Sequence, residues 1–374
     1  MSILLFIIIL VVLILAHEFG HFIVAKKSGI RVDEFGIGFP PKITGWKKGE
    51  TEYTLNWIPF GGFVKIFGED VTAEELATMS PTERGRNFSS KPAYIKAAVM
   101  AAGVFFNLLL AWLLFSVGFM TGLPVPVDQL AAEEQASSVA LVITSVSKNA
   151  PADKAGLLPG DKIYAITSTA LSARITESVT DLTPDNVRKF IAERPNQELT
   201  IEILRNDSPL TLRVTPAENE SLKRAVIGIT MDLIGTLRLN PVLALIRGAQ
   251  MTWDVVVGTV VGLWTLVHGI FVGSGGFSEV SGPVGIVRIV GDAARFGFVY
   301  LLGLTAVISV NLAVLNLLPF PALDGGRLFF LLIEKIKGSP IKPKVANTVN
   351  MIGFYALILL MLVVTYHDVV KLIR

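Results

Sequence analysis

Residues 10–25 read LVVLILAHEFGHFIVA. An otherwise apolar run carries two histidines and a glutamate, groups that are costly inside hydrocarbon and that mark a site where they occur. On a helix, histidines four positions apart project from one face about 40° from each other, and Glu18 lies beside that face. His17-Glu18-Phe19-Gly20-His21 therefore has the HExxH spacing, in which two neutral imidazoles hold one zinc ion. The glutamate, not itself a ligand, takes a proton from water. With four histidines in 374 residues, chance supplies such a match roughly 0.002 times per chain. A signal peptide ending near Ala16 is the alternative, but the stretch lacks a basic n-region and an A-x-A cleavage site.

Composition sets the class. Hydrophobic residues make up 52% of the chain and charged ones 17%, with a mean hydropathy of +0.59, a balance typical of a polytopic membrane protein. A net charge of +2, evenly distributed, argues against a nucleic-acid partner. The absence of cysteine excludes disulfides, thiolate zinc sites and cysteine nucleophiles, so a metal must use His, Asp or Glu. Residues 3–25, 93–121, 297–323 and 346–366 are each long and apolar enough to cross the bilayer, which predicts four transmembrane helices. Residues 241–273 are ambiguous. Arg247, Asp254 and His268, with Gly248, Gly258, Gly262 and Gly269, weaken the case for a span, and the stretch is expected to be an interfacial or half-inserted helix.

Charge placement supplies an orientation. Ten lysines and arginines lie between Lys26 and Lys91, whereas almost nothing precedes the first span, so the first helix is expected to run from outside to inside. His21 then lies about 8 Å from Lys26 along the helix, near the cytoplasmic face. A second span leads outward, and a third running inward brings Asp324 to the same depth, ahead of Lys335, Lys337, Lys342 and Lys344. A full crossing by 241–273 would reverse that parity.

A tetrahedral catalytic zinc needs a third protein ligand. Asp254, His268, Asp324 and His367 are the candidates in apolar surroundings. Asp324 is favoured, because Pro319 and Pro321 must interrupt the helix and Gly325-Gly326 permit a tight turn that aims a carboxylate inward. His268 and His367 have no partner spacing.

Two other segments read as β structure. In residues 50–68, Tyr53, Leu55 and Trp57 alternate, Pro59 to Gly62 form a turn and Phe63 to Phe67 run back, suggesting an apolar hairpin. Residues 125–237 form a polar block. Its core LVITSVSKNAPADKAGLLPGDKIYAI (141–166) has a strand, a short helical turn and a Pro-Gly-Asp turn into a second strand. TPDNVRKFIAER (183–194) follows as a helix, and QELTIEILRNDSPLTLRVTP (197–216) reads as a hairpin turning at Asn-Asp-Ser. This block resembles a bacterial PDZ domain, which takes extended peptide ends by strand addition.

Taken together, HExxH near the N-terminus, GETEYTLNWIPFGGFV (49–64), the PDZ-like block, SGPVGI (281–286) and NLLPFPALDGG (316–326) resemble the site-2 protease family of intramembrane zinc metalloproteases. The resemblance is to the bacterial branch that cleaves anti-sigma factors and remnant signal peptides, here with a single PDZ domain. It implies Zn²⁺ held by His17, His21 and Asp324, with Glu18 as base. It also implies substrate contacts from Gly61, Gly62, Phe63 and Val64 on a membrane-associated hairpin. Asn316 is implied to bind substrate or its developing oxyanion, with helix packing as the alternative. The expected organisation is a membrane domain over 1–121, the extracytoplasmic α+β PDZ domain over 125–237, the helix of 241–273, and a C-terminal membrane domain over 297–374. Such a protein is expected in the bacterial inner membrane, with its active site towards the cytoplasm and the PDZ domain outside. Its partners would be the lipid bilayer, transmembrane protein substrates and peptide ends. Two other classes are weighed against the enzyme: a non-catalytic PDZ-bearing scaffold with a vestigial metal site, and an ion-relaying transporter. The transporter would need polar residues threaded through both leaflets.

Overall fold

The computed structural model describes all residues except 1, 70, 72, 131–133, 169–173, 176–181, 206–207, 220–222, 273–281, 340 and 374. The chain divides into two compact units. One comprises Met1–Ser116, Leu245–Gly291 and Leu302–Arg374, and the other Val117–Ala244 with Asp292–Leu301.

The first unit begins with α1 (Ser2–Lys27), which has no charged residue before His17 and is long enough, at about 1.5 Å per residue, to exceed a hydrocarbon core of about 30 Å. Gly29, at φ +68°, ends it, with Ser28 N–H bonded to the Val24 carbonyl and Ile30 N–H to that of Ala25. Then come β1 (Val32–Lys48), β2 (Thr51–Ile66), α2 (Ala73–Thr78), α3 (Pro81–Gly85) and α4 (Ala93–Thr121). Ala25, Ile30, Val32, Phe88 and Val99 form a buried cluster joining the end of α1, the sheet and the start of α4.

β1 corrects the expected hairpin. Tyr53–Leu55 and Phe63–Lys65 do not pair with each other, because Glu34–Ile37 lie between them: Phe35 is opposite both Val64 and Tyr53, and Ile37 opposite both Gly62 and Leu55. Beyond Pro41 the chain folds back, and Lys42–Lys48 pair with Thr51–Asn56 on the far side. Two long bent strands thus give four segments side by side. No strand is expected from the sequence over Val32–Lys48.

The second unit holds β3 (Leu123–Pro126), β4 (Ser137–Val146), α5 (Pro151–Lys154), β5 (Lys162–Ser168), β6 (Arg174–Ile175), α6 (Pro184–Ala192), β7 (Leu199–Arg205), β8 (Ser208–Val214), β9 (Ala217–Asn219), β10 (Arg224–Val226) and β11 (Ile229–Leu237). The main sheet runs β3-β11-β4-β5-β7-β8, with β6 on β5. β7 and β8 pair as the expected hairpin with Arg205 opposite Ser208; its turn residues 206–207 lie outside the described residues. Ile143, Leu157, Ile166, Val187, Leu199, Ile201 and Ile203 are fully buried between this sheet and α6. Asp161, 1% exposed, accepts from Leu158 N–H and forms a bidentate pair with Arg205.

The chain continues through α7 (Pro241–Val272), α8 (Pro283–Arg295), α9 (Phe298–Leu317), α10 (Asp324–Lys337) and α11 (Pro343–Ile373). Among the described residues five helices are long and apolar enough to span a membrane, namely α1, α4, α7, α9 and α11, where four were expected. The extra one is the 241–273 stretch, which up to Val272 is a single unbroken helix; residue 273 lies outside the described residues. Gly248 is a contact point rather than a weakness: a Cβ there would lie 2.3 Å from Ser116 Oγ, and one turn earlier the Trp112 indole donates to the Leu245 carbonyl. Small residues admit such close helix approach. Further along, Thr259 donates to Asn311 Oδ1 of α9 at 2.6 Å. Trp253, Val257, Val260, Val261 and Trp264 are exposed, as lipid-facing side chains are.

In α8, Gly285 N–H is bonded to Asp368 near the end of α11, and Gly291 lies against Ser2 at the start of α1. The connection between α7 and α8 lies outside the described residues.

Since the chain has no cysteine of its own, single-cysteine labelling is clean. A cysteine replacing Val260 is expected to resist membrane-impermeant maleimides from both sides in intact vesicles and to react after detergent. Ready labelling before detergent would return α7 to the membrane surface.

Candidate metal centre

His17 and His21 lie on consecutive turns of α1 and face α4. Gly103 makes room for them: a Cβ there would sit 2.4 Å from His21 Nε2 and 2.5 Å from His17 Cε1. One turn along the interface Gly20 plays the same part, with a Cβ position 2.5 Å from the Ala102 carbonyl. The two imidazoles are nearly perpendicular, and His21 Nδ1 donates to the Val99 carbonyl at 2.7 Å. Val99 therefore fixes the tautomer of His21, leaving the Nε2 lone pair free.

Asp324 arrives from the other end of the chain. α9 stops at Leu317, and the turn through Pro319–Leu323 places Ala322 at φ +74° before α10 starts at Asp324. Gly325 and Gly326 are not in that turn, as the sequence reading supposed. They form the first turn of α10, where Cβ atoms would lie 2.2 Å from the Leu317 and Phe320 carbonyls. Their smallness lets α10 double back tightly enough to aim the carboxylate inward.

The result is a triangle of donor atoms. Asp324 Oδ2 lies 3.1 Å from His17 Nε2 and 3.3 Å from His21 Nε2, and the two nitrogens are 3.3 Å apart. Tetrahedral zinc with bonds of about 2.0–2.1 Å places its ligand atoms about 3.3 Å apart. Asp324 Oδ2 is also buried without a hydrogen-bond partner, an orphaned acceptor that a cation would satisfy. The site thus fits zinc by spacing and donor type. Among the described residues His17, His21 and Asp324 are the group with metal-ligand spacing. Asp254 and His268 are exposed on α7, and His367 is half-buried near the end of α11.

Glu18 is half-buried beside His17, and its Cγ would lie 3.1 Å from a Cβ on Gly62. Of the residues expected to contact substrate, Gly62 thus abuts the site helix directly. Phe63 packs its ring over Gly36, and Gly61, at φ +123°, lies under the ring of Phe39. Val64 packs on the cluster at the end of α1. Asn316 is half-buried near the end of α9. Arg327, one turn after Asp324, is ion-paired to Glu69, which follows β2.

Asn107, fully buried on α4, escaped the sequence reading. Its amide lies 3.3 Å from His17 Nδ1, and its backbone carbonyl accepts from Ser309 of α9. Nothing but an isolated amide in an apolar run marks it.

Gly103→Ala drives a methyl group into both imidazoles and is expected to weaken zinc binding by at least about tenfold, measured by metal content after dialysis. Full zinc occupancy in this variant would mean that the rings sit elsewhere.

Peptidase family M50 matches residues 5–360. The chain is 31% identical to the regulator of sigma-W protease RasP of Bacillus subtilis, over 98% of both chains. It is also 31% identical to the zinc metalloproteases RasP of Bacillus licheniformis and of Geobacillus kaustophilus, with 98% and 99% of this chain covered and 98% of each relative. A whole-chain match of this kind, on a helical membrane framework with a zinc-sized donor triangle, makes the chain a member of peptidase family M50, the site-2 family of zinc metalloproteases.

Proposed function

We propose that this metalloprotease hydrolyses peptide bonds within or near the transmembrane segments of single-span membrane proteins, of the anti-sigma-factor or remnant-signal-peptide type. His17, His21 and Asp324 hold the zinc and Glu18 is the general base. The observation that carries this reading is the convergence of three metal-binding atoms from opposite ends of the chain within a bundle of apolar helices. The regulator of sigma-W protease among its relatives supports a regulatory substrate.

Zinc at this site would supply a Lewis acid that polarises the scissile carbonyl and lowers the pKa of water towards about 7. Glu18 takes the proton of the attacking water at its carboxylate and returns it to the departing amine nitrogen. Asn316 offers an amide N–H to the carbonyl oxygen as it gains charge.

A transmembrane substrate hides its amides in helical hydrogen bonds, so a segment must unwind and find new partners before it can be cut. Gly62–Lys65 meet that need. They pair with Glu34–Ile37 on one side, among the described residues no strand pairs with their other edge, and Gly62 lies against Glu18, which supports strand addition there. Gly61, Gly62, Phe63 and Val64 accordingly line the path of the substrate backbone.

Residues 125–237 act as one PDZ domain. The order of β4, α5, the Pro159-Gly160-Asp161 turn, β5 and α6 supports this, and extended peptide ends would add to it as strands. Lys26 and Lys27 at the end of α1, and Lys335 and Lys337 at the end of α10, support a metal centre towards the cytoplasm, with the PDZ domain outside.

Glu18→Gln is expected to keep its zinc and to lose at least about 10³-fold in cleavage of a membrane-anchored peptide, whereas Asp324→Ala loses both. Undiminished cleavage by the Glu18 variant would overturn the catalytic assignment and leave a peptide-binding scaffold as the better description.

A further inference from the structure

We propose that Asn107 is a positioning residue for the zinc site. Its side-chain carbonyl accepts the Nδ1 proton of His17 in the metal-loaded enzyme and so reserves His17 Nε2 for the metal. The inference rests on His17 being a zinc ligand and extends that reading to the residue behind it.

The two histidines are held differently. His21 Nδ1 faces a backbone carbonyl, that of Val99, which can only accept, so the lone pair of His21 is directed to Nε2 whatever the surroundings do. His17 Nδ1 faces a side-chain amide, and an amide offers either a donor or an acceptor. In the structure it is Asn107 Nδ2 that lies 3.3 Å from His17 Nδ1, while Asn107 Oδ1 is buried without a partner.

An amide N–H donating to Nδ1 leaves the ring proton on His17 Nε2, the atom 3.1 Å from Asp324 Oδ2. A metal-binding His17 needs its lone pair at Nε2, so its proton moves to Nδ1 and then confronts the Asn107 NH₂, donor against donor. Half a turn of the amide about Cβ–Cγ removes the conflict by presenting Oδ1 to the Nδ1 proton. The amide NH₂ then occupies the place where Oδ1 had no partner, so two mismatched polar groups become one. The pivot is fixed, because Asn107 is fully buried and its backbone carbonyl is held by Ser309 Oγ at 2.7 Å.

Substitutions separate acceptor from scaffold. Asn107→Leu keeps the size of the side chain and leaves the backbone bond to Ser309 untouched, but has no acceptor. Asn107→Asp retains one. In the detergent-solubilised full chain, titrated with zinc against a chromophoric chelator, Asn107→Leu is expected to bind about 10- to 100-fold more weakly, and Asn107→Asp within a few-fold of the parent. The visible spectrum of the cobalt-substituted protein should change for the leucine variant and stay near the parent for the aspartate. Parent-like affinity in Asn107→Leu, or an equal loss in both variants, overturns the proposal. Should the leucine variant not accumulate, Asn107→Ala removes the acceptor without bulk and is judged by the same two outcomes. His17→Ala is the control: if it keeps its zinc, the ligand assignment itself fails, whereas its loss of zinc beside a parent-like Asn107→Leu condemns only the role given to Asn107.

Discussion

The arrangement depends on one electrostatic constraint: two imidazole nitrogens and a carboxylate oxygen held 3.1–3.3 Å apart where water is scarce. Asp324 Oδ2 is buried without a hydrogen bond. A desolvated carboxylate is tolerable only beside compensating charge. Two neutral imidazoles, one carboxylate and Zn²⁺ sum to one positive charge, and the neighbouring carboxylate of Glu18 brings the sum to zero. A metal held there would serve the stability of the bundle as well as its chemistry.

Much of the packing can be understood as service to that triangle. Gly20 and Gly103 bring α1 and α4 close enough for the rings to share one space, and Gly325 and Gly326 let α10 fold back against the end of α9. Val99, Asn107 and Ser309 tie the same helices by polar contacts within the apolar bundle. The Glu69–Arg327 ion pair joins the segment after β2 to the helix that carries Asp324. The sheet and the metal centre are therefore mechanically linked.

The parts of the site that were legible in the sequence are those written in local spacing or in costly chemistry. His17 and His21 declare themselves by being four apart, and Asp324 by being a carboxylate after a broken apolar helix. What was not legible depends on contacts between distant segments. β1 carries Glu34, Lys42 and the Pro40-Pro41 pair, which break the alternation that marks a strand, and its place between two parts of β2 is set by tertiary pairing. Gly248 in α7 looked like a helix weakener, and only the presence of Ser116 opposite turns it into a contact. Asn107 has no spacing signature, because its partner is ninety residues away.

Zinc-edge X-ray absorption on the purified full chain tests the central claim most directly, because the chain has only four histidines and no cysteine. One zinc per chain, with two imidazole nitrogens completed by oxygen donors at about 2.0–2.1 Å, is the predicted result. Three imidazoles, which would enlist His268 or His367, or no tightly bound zinc, would contradict it.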